Sequence, residues 1–184
     1  MVRITPFSQP ADLDDTLAGL GYRMFDDTRV LAAHLHAMDL SAQLPTDARL
    51  RHAEADEFAR VVGQLRGSPS EQQDAHAQRL KQSPVPYQGW ILQRGQAVLA
   101  CGQYAREGSH VGLYDIYTAP KARNQGLSRA LCADLLRRAA AEGAQTAYLQ
   151  VDAANAPALA VYRKLGFEPG YSYHYRSTDP AAAV

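Results

Sequence analysis

The feature that most constrains the fold is a strand, a polar loop, a helix and a second strand, in that order, between Val111 and Val151. Residues 111–118 are rich in β-branched and aromatic residues and end at a proline, which cannot donate to a sheet ladder. Residues 146–151 have the same character. Between them, apolar side chains recur every four residues and predict a helix: Leu127, Leu131, Leu135 and Ala139. Because a crossover helix joins strands of the same direction, the two strands are expected to be parallel neighbours.

Antiparallel strands are predicted before this crossover. Residues 87–92 and 96–104 are typical of strands, and Arg94-Gly95 between them indicates a hairpin. Further elements are predicted as a strand at 48–53, helices at 55–65, 71–80 and 156–164, and a last strand around 171–175. The sequence therefore predicts an α/β domain from about residue 48 to 178, with a mixed sheet and an antiparallel front.

Residues 1–45 resemble an isolated partial repeat of the end of that domain. In both places a short helix is followed by a similar tetrapeptide and a strand; the tetrapeptides are Leu20-Gly21-Tyr22-Arg23 and Leu165-Gly166-Phe167-Glu168. The first copy has Pro10 and Leu17 where the second has Asn155 and Tyr162. We therefore expect residues 1–45 to be structural, packing on the domain or on a partner subunit, which leaves a homodimer open. Residues 179–184 are predicted to be a frayed tail.

Charge and cysteine content restrict the expected partners and cellular compartment. The 184 residues carry 19 Lys and Arg against 19 Asp and Glu, and this zero net charge argues against nucleic acid or an anionic membrane as the main partner. Cys101 and Cys132 stand in apolar runs, which predicts buried free thiols. No signal peptide or membrane-spanning run is recognisable, so a cytoplasmic protein is expected.

The loop before the central helix has the composition of an anion site. A helix N-terminus leaves its first amide groups unpaired, and its dipole favours negative charge. Gly126 would let a phosphate approach the backbone, and Arg123 and Arg129 could add charged contacts. An ordinary strand-to-helix turn capped by Asn124 or Ser128 explains the segment equally well.

A second group of residues opens the helix at 156–164. Asn155 followed by Pro157 indicates a helix N-cap, and Tyr162 lies two helical turns further on, so both side chains share one face. Helix capping alone would account for Asn155, and core packing alone would account for Tyr162.

Taken together, these motifs resemble the GNAT superfamily of acetyl-CoA-dependent N-acetyltransferases. The resemblance covers about residues 48–178 and consists of an Arg-x-x-Gly-x-Ser loop between strand and helix, then Asn-x-x-Ala-x-x-x-Tyr-x-x-x-Gly-Phe. Ser128 and Asn124 depart from the family, which usually has Gly or Ala at the first position and often Gly at the second. Both residues are small enough to leave the backbone accessible.

The resemblance implies a role for each matching position. The loop amides would cradle the CoA pyrophosphate, the end of the preceding strand would pair with the pantetheine arm, and Tyr162 would protonate the departing thiolate. The implied cofactor-binding residues are Ile116, Tyr117, Thr118, Arg123, Asn124, Gln125, Gly126, Leu127, Ser128, Asn155 and Tyr162. The implied reaction is direct transfer of acetyl from acetyl-CoA to a primary amine on a small molecule or peptide, without a covalent enzyme intermediate.

The sequence offers more than one candidate for the general base. Asp115 is a candidate, and strand alternation places it on one face with Leu113 and Tyr117, whereas Tyr114 and Ile116 point the other way. A structural role for Asp115 and deprotonation through water are equally open. Glu107 and His110 are near in sequence, and the helix ending at Arg66 could bound the acceptor site, as could the tyrosines Tyr171, Tyr173 and Tyr175. His34 and His36 lack a third ligand at suitable spacing, so no metal site is expected.

Two alternatives to an enzyme remain at this level. A non-catalytic acyl-CoA-binding module would keep the phosphate loop without needing Tyr162 beside the sulfur. A scaffold protein would use residues 1–45 as a dimerisation arm.

Overall fold

A computed structural model describes residues 1–179. The predicted frayed tail, residues 179–184, lies outside this part of the chain except for its first residue. The strands are β1 (Val2–Ile4), β2 (Arg23–His34), β3 (Arg49–Ala53), β4 (Tyr87–Arg94), β5 (Ala97–Glu107), β6 (His110–Thr118), β7 (Thr146–Asp152) and β8 (Glu168–Ser177). The helices are α1 (Leu13–Gly19), α2 (Ala55–Arg66), α3 (Ser70–Gln82), α4 (Leu127–Ala141) and α5 (Ala156–Leu165).

All eight strands form one mixed sheet in the order β1-β8-β2-β7-β6-β5-β4-β3. The front strands β3 to β6 pair antiparallel in chain order. β6 and β7 are parallel neighbours joined by α4. The predicted fold class, an antiparallel front followed by a βαβ crossover, is therefore confirmed.

Helices cover both faces of the sheet, and neighbouring residues of β5 show this directly. A Cβ on Gly102 would meet Leu131 and Leu135 of α4. Cys101, the residue before it, packs instead with Phe58 and its neighbours on α2. Because successive strand residues point to opposite faces, α4 and α2 lie on opposite sides of the sheet.

The N-terminal segment, residues 1–45, contributes strands β1 and β2 to this sheet. β2 pairs antiparallel with β7 on one side and with β8 on the other. Asp14 of α1 accepts hydrogen bonds from Arg176 of β8 and also contacts His174. Residues 1–45 and 48–178 therefore share one sheet. Local sequence could reveal the strand that follows Leu20-Gly21-Tyr22-Arg23 but not its neighbours, because backbone pairing is available to any extended segment.

β6 and β7 separate part of the way along their length. They pair from His110 and Thr146 to Leu113 and Leu149, and no pairing follows although both strands continue. A β-bulge lies at the same level, where the β5–β6 register shifts between Cys101 and Gln103.

The bulge makes the predicted face of Leu113 wrong, whereas Asp115 and Tyr117 share one face of β6 and Ile116 lies on the other, as predicted. Asp115 has a positive φ of 50° and is the extra residue in the strand. Leu113 and Ile116 consequently both pack on the α4 face, whereas Asp115 and Tyr117 face α2 and α3. One inserted residue reverses the face on which each following side chain of the strand lies, and the sequence pattern alone does not show the insertion.

Both cysteines are buried and free, as predicted. Burial raises the pKa of the Cys101 thiol to about 12 and that of the Cys132 thiol to about 12. Among residues 1–179, no helix is long and apolar enough to cross a membrane.

Candidate functional site

A groove of about 650 Å³ runs between the loop before α4 and helix α5. We call it the loop groove. The predicted cofactor residues lining it are Ile116, Tyr117, Thr118, Arg123, Asn124, Gly126, Leu127, Ser128 and Asn155. Of the positions predicted from the resemblance, Gln125 and Tyr162 are absent from its lining. The structure thus gathers one predicted set of residues, separated by some 40 positions in sequence, around a single groove.

The loop presents its backbone amides as a cradle. Within the described residues, the amides of Asn124, Gln125 and Gly126 donate to no backbone carbonyl, and no side chain caps the first turn of α4. Gly126 has a positive φ of 75°, and a Cβ there would meet no described heavy atom within 4 Å. Asn124 also has a positive φ, of 61°. Unpaired amides around an open glycine at a helix N-terminus are the arrangement that binds anions in other proteins.

Polar side chains complete the groove. Arg123 donates to the Tyr117 hydroxyl over 3.3 Å, and its guanidinium lies 5.7 Å from the centre of that ring. Arg129 pairs with Asp39 of the segment that follows β2. Thr118 Oγ1 is buried and has no hydrogen-bond partner among the described residues. An unpaired buried hydroxyl costs about 1–3 kcal/mol, which a polar ligand in the groove would offset.

A second cavity, of about 700 Å³, opens where β6 and β7 separate. We call it the inner cavity. It shares three lining residues with the loop groove, namely Ile116, Asn155 and Ala158. The two spaces therefore meet at the end of the paired part of β6 and β7, so that a long ligand in the groove can reach a second molecule in the inner cavity.

Asn155 and Tyr162 are positioned by α5. The Asn155 side chain accepts a hydrogen bond from the Ala158 amide at 3.2 Å and caps the helix, as the sequence indicates. Tyr162 lines the inner cavity, is only 8% exposed, and packs edge-on against Phe167. Burial raises the pKa of the Tyr162 phenol above its usual value near 10, so the hydroxyl keeps its proton at neutral pH.

Asp115 is held at the wall of the inner cavity by three side chains. Arg66 Nη2 lies 2.8 Å from Oδ1, His76 Nε2 lies 3.1 Å from Oδ2, and Gln103 Nε2 donates to Oδ2 at 2.7 Å. Burial by itself would raise the pKa of Asp115, but hydrogen bonding from His76 and the charge of Arg66 outweigh it and lower the pKa. The carboxylate is therefore ionised at neutral pH.

Tyrosine rings form another part of the inner cavity. Tyr87 and Tyr114 both line it and meet edge-on with ring centres 5.2 Å apart. The Tyr114 hydroxyl also shares a 2.8 Å hydrogen bond with that of Tyr148. The cavity therefore offers apolar ring surface beside a charged cluster.

Sequence reasoning missed His76 and Gln103, because both are far from Asp115 in the chain and belong to no motif. It also suggested residues that the structure places elsewhere. Glu107 and His110 pair with each other at the opposite end of β6. The tyrosines of β8 are absent from both cavities because β2 lies between β8 and β7. Tyr171 packs on Phe7 instead, and Tyr173 donates to Gln150.

Comparison with known proteins agrees with this geometry. Residues 48–167 match the model of the Acetyltransferase (GNAT) family. An uncharacterised N-acetyltransferase, YobR of Bacillus subtilis, is 24% identical over 92% of this chain and 69% of its own length. The [ribosomal protein bS18]-alanine N-acetyltransferase of Escherichia coli is 42% identical over 69 residues, which are 36% of this chain and 47% of that protein.

Solved structures show the same fold. A tandem GNAT protein from the clavulanic acid biosynthesis pathway matches with a TM-score of 0.73 at 16% identity, covering 98% of this chain and 63% of that one. A GCN5-related N-acetyltransferase from Kribbella flavida matches with a TM-score of 0.68 at 20% identity, covering 97% of this chain and 67% of that one. The match to the family model spans most of the mixed sheet and both motifs, and the chain therefore belongs to the GNAT family of acetyltransferases.

Proposed function

We propose that this protein transfers the acetyl group of acetyl-CoA to a primary amine by direct attack within a ternary complex. The observation that carries the proposal is the meeting of the loop groove and the inner cavity at Ile116, Asn155 and Ala158. A thioester at that junction would have the amide cradle on one side and Tyr162 with the acceptor space on the other.

The residues of the loop groove fit CoA. The unpaired amides from Asn124 to Gly126, with those that open α4, would hold the pyrophosphate. Beyond Leu113 the edge of β6 toward β7 is free of strand pairing, so Ile116, Tyr117 and Thr118 can offer backbone groups to the pantetheine amides. Bound acetyl-CoA supplies an activated acetyl thioester at the inner end of the groove.

Tyr162 is proposed as the general acid. Its phenol remains protonated because burial raises its pKa, and it lines the cavity into which the thioester would project. It would give its proton to the sulfur as the C–S bond breaks. The thiols of Cys101 and Cys132 are buried and protonated, so neither is suited to form an acetyl-enzyme, which favours direct attack by the amine.

The first test is calorimetric titration with acetyl-CoA and CoA, followed by a screen of primary amines for CoA release. Binding in the micromolar range corresponds to about 8 kcal/mol. The screen should include an alanine-initiated peptide, since one relative is named for an alanine of ribosomal protein bS18. Binding without turnover on any amine would favour a non-catalytic acyl-CoA-binding module, and no binding to the folded protein would contradict the proposal.

The general acid has its own test in Tyr162→Phe. We expect kcat to fall by about 100-fold or more, because a positioned proton donor is lost. The acetyl-CoA affinity should stay within about twofold, because the ring remains. Tyr171→Phe is the matched control, since Tyr171 lies outside both cavities. Equal kcat in wild type and Tyr162→Phe would remove Tyr162 from the mechanism.

A further inference from the structure

The proposed reaction leaves one proton without a destination. Alkyl amines have pKa values near ~10.4 and α-amino groups near ~8, so most acceptors are ammonium ions at neutral pH. An ammonium has no lone pair and must lose a proton before it can attack. Tyr162 does not fill this role, because its phenol is itself protonated there. The question rests on the proposed function and asks which residue receives that proton.

Asp115 is poorly suited to receive it. One carboxylate oxygen faces Arg66 at 2.8 Å, and the other faces His76 at 3.1 Å and Gln103 at 2.7 Å. These contacts lower the pKa of Asp115, so the carboxylate is a weak proton acceptor. Its contacts instead suit a residue that orients a neighbouring side chain and stabilises positive charge on it.

His76 is that neighbour, and it lines the inner cavity from α3. Its side chain is 17% exposed, so it is enclosed yet reachable from the cavity. Nε2 faces the Asp115 carboxylate and therefore carries an N–H toward it, so in the neutral ring Nδ1 is the nitrogen that has the lone pair. A carboxylate behind one nitrogen of an imidazole fixes the tautomer and stabilises the imidazolium formed when the other nitrogen gains a proton.

The rest of the cavity defines the surroundings of His76. The titratable and charged groups that line the cavity with it, from α2, α3, β4, β6, β7 and α5, are Arg66, Arg79, Tyr87, Tyr114, Asp115, Asp152 and Tyr162. Arg66 is neutralised by Asp115, and the tyrosine faces favour a cation. Gln103 Oε1 is buried without a hydrogen-bond partner among residues 1–179, and its orientation is set by the bond from Nε2 to Asp115.

We propose that His76 is the general base that deprotonates the acceptor ammonium, and that Asp115 and Gln103 are positioning residues for it. His76 Nδ1 takes one proton from R–NH₃⁺ and releases it later to solvent. The freed amine forms the C–N bond to the acetyl carbon, and the C–S electron pair leaves with sulfur. Nitrogen loses its second proton after the C–N bond has formed, and that proton, passed through solvent, restores the Tyr162 phenol that has protonated the thiolate. The products are therefore the amide, the CoA thiol and one solvent proton.

Two small amines that differ in protonation provide the test. Ethylamine is an ammonium ion at neutral pH, whereas 2,2,2-trifluoroethylamine is largely unprotonated and needs no base before attack. His76→Gln keeps an N–H toward Asp115 and should lower kcat/KM for ethylamine at pH 7 by about 100-fold. The loss for trifluoroethylamine should be no more than about threefold, and Asp115→Asn should show the same bias with about a tenfold loss for ethylamine.

The pH profile is a second readout. Wild-type kcat/KM for ethylamine should reach its plateau well below the amine pKa, whereas His76→Gln should keep rising in proportion to the free amine. His110→Gln, at the far end of β6, is the matched control and should behave as wild type. Because both amines are assayed on one preparation, partial unfolding lowers both rates and leaves their ratio unchanged. If His76→Gln does not fold, Asp115→Asn is used for the same ratio.

The outcomes separate this inference from the proposed function. A selective loss on ethylamine supports His76 as the base. Equal losses on both amines, or none, overturn that role while the proposed function stands, because wild type still transfers acetyl. Absence of turnover by wild type with both probes and with every amine of the screen overturns both.

Discussion

Replacing Gly126 by glutamate should severely weaken acetyl-CoA binding with only a moderate loss of stability. Gly126 is the N-cap of α4 and has φ 75° and ψ 3°, a left-handed conformation. The position where a Cβ would stand is open, with no described heavy atom within 4 Å. The free protein therefore has room for a side chain, and the space that it would fill is the cradle proposed for the pyrophosphate.

Backbone strain sets the expected loss of stability, and charge repulsion sets most of the expected loss of affinity. The left-handed backbone costs a residue with a Cβ about 1–2 kcal/mol, and for a chain of this length that lowers Tm by about 2–8 °C. A carboxylate about 4 Å from one phosphate charge is repelled by ~1 kcal/mol at the dielectric constant of water and by ~4 kcal/mol at an effective value near 20. With the bulk of the side chain added, Kd for acetyl-CoA should rise by roughly 100-fold or more.

The assay is calorimetric titration of each variant with acetyl-CoA, alongside a thermal melt. Gly143→Glu is the matched control, because Gly143 also has a positive φ, of 100°, and an open Cβ position, but follows the C-terminal end of α4. It should lose similar stability and keep the wild-type Kd. Gly126→Ala introduces the backbone strain and some bulk without the charge, so it should bind acetyl-CoA more tightly than Gly126→Glu. An unchanged Kd in Gly126→Glu would refute the assignment of this loop as the phosphate cradle.

Two further predictions concern groups outside the reacting centre. Hydrogen bonding from Arg176 lowers the pKa of Asp14 from 3.8 to about 2. Because this carboxylate is about one-third exposed, Asp14→Asn should destabilise the protein by only ~1 kcal/mol at pH 7. Since the pKa of Asp14 is depressed in the folded protein, the free energies of unfolding of wild type and Asp14→Asn should differ above about pH 4 and converge as pH falls toward 2. Denaturant melts measure both values, and a difference that stays constant with pH would contradict this reasoning. Thr118→Val removes a buried hydroxyl that lacks a partner among the described residues, so stability should hold or rise by up to about 1–3 kcal/mol. The same variant should bind acetyl-CoA several-fold more weakly, and unchanged calorimetric affinity would show that the hydroxyl does not serve the cofactor.

Elements with a strong local period could be predicted closely. The strand expected at 111–118 is β6 at His110–Thr118, and the helix marked by Leu127 to Ala139 is α4. Asn155 caps α5 as its sequence context indicates. In each case the signal lies in side chains within a few residues of one another, where backbone geometry fixes which of them share a face.

The acceptor side of the site could not be predicted in the same way. Asp115, His76 and Gln103 belong to β6, α3 and β5, and no pattern in the sequence relates them. Their approach depends on the bulge at Asp115, which turns the carboxylate toward α2 and α3. Without that extra residue, the alternation would place Asp115 on the α4 face with Leu113.

The sequence by itself determined the parallel crossover, the amide-presenting loop and the two positions on α5, because these follow from local periodicity and helix-end chemistry. Only the tertiary structure decided that β2 lies between β7 and β8, that β6 and β7 part beyond Leu113, and that His76 lies against Asp115. Backbone hydrogen bonds are the same for every residue, so they do not record which distant strands will pair. Side chains far apart in the chain acquire a common environment only when the packed core brings them together.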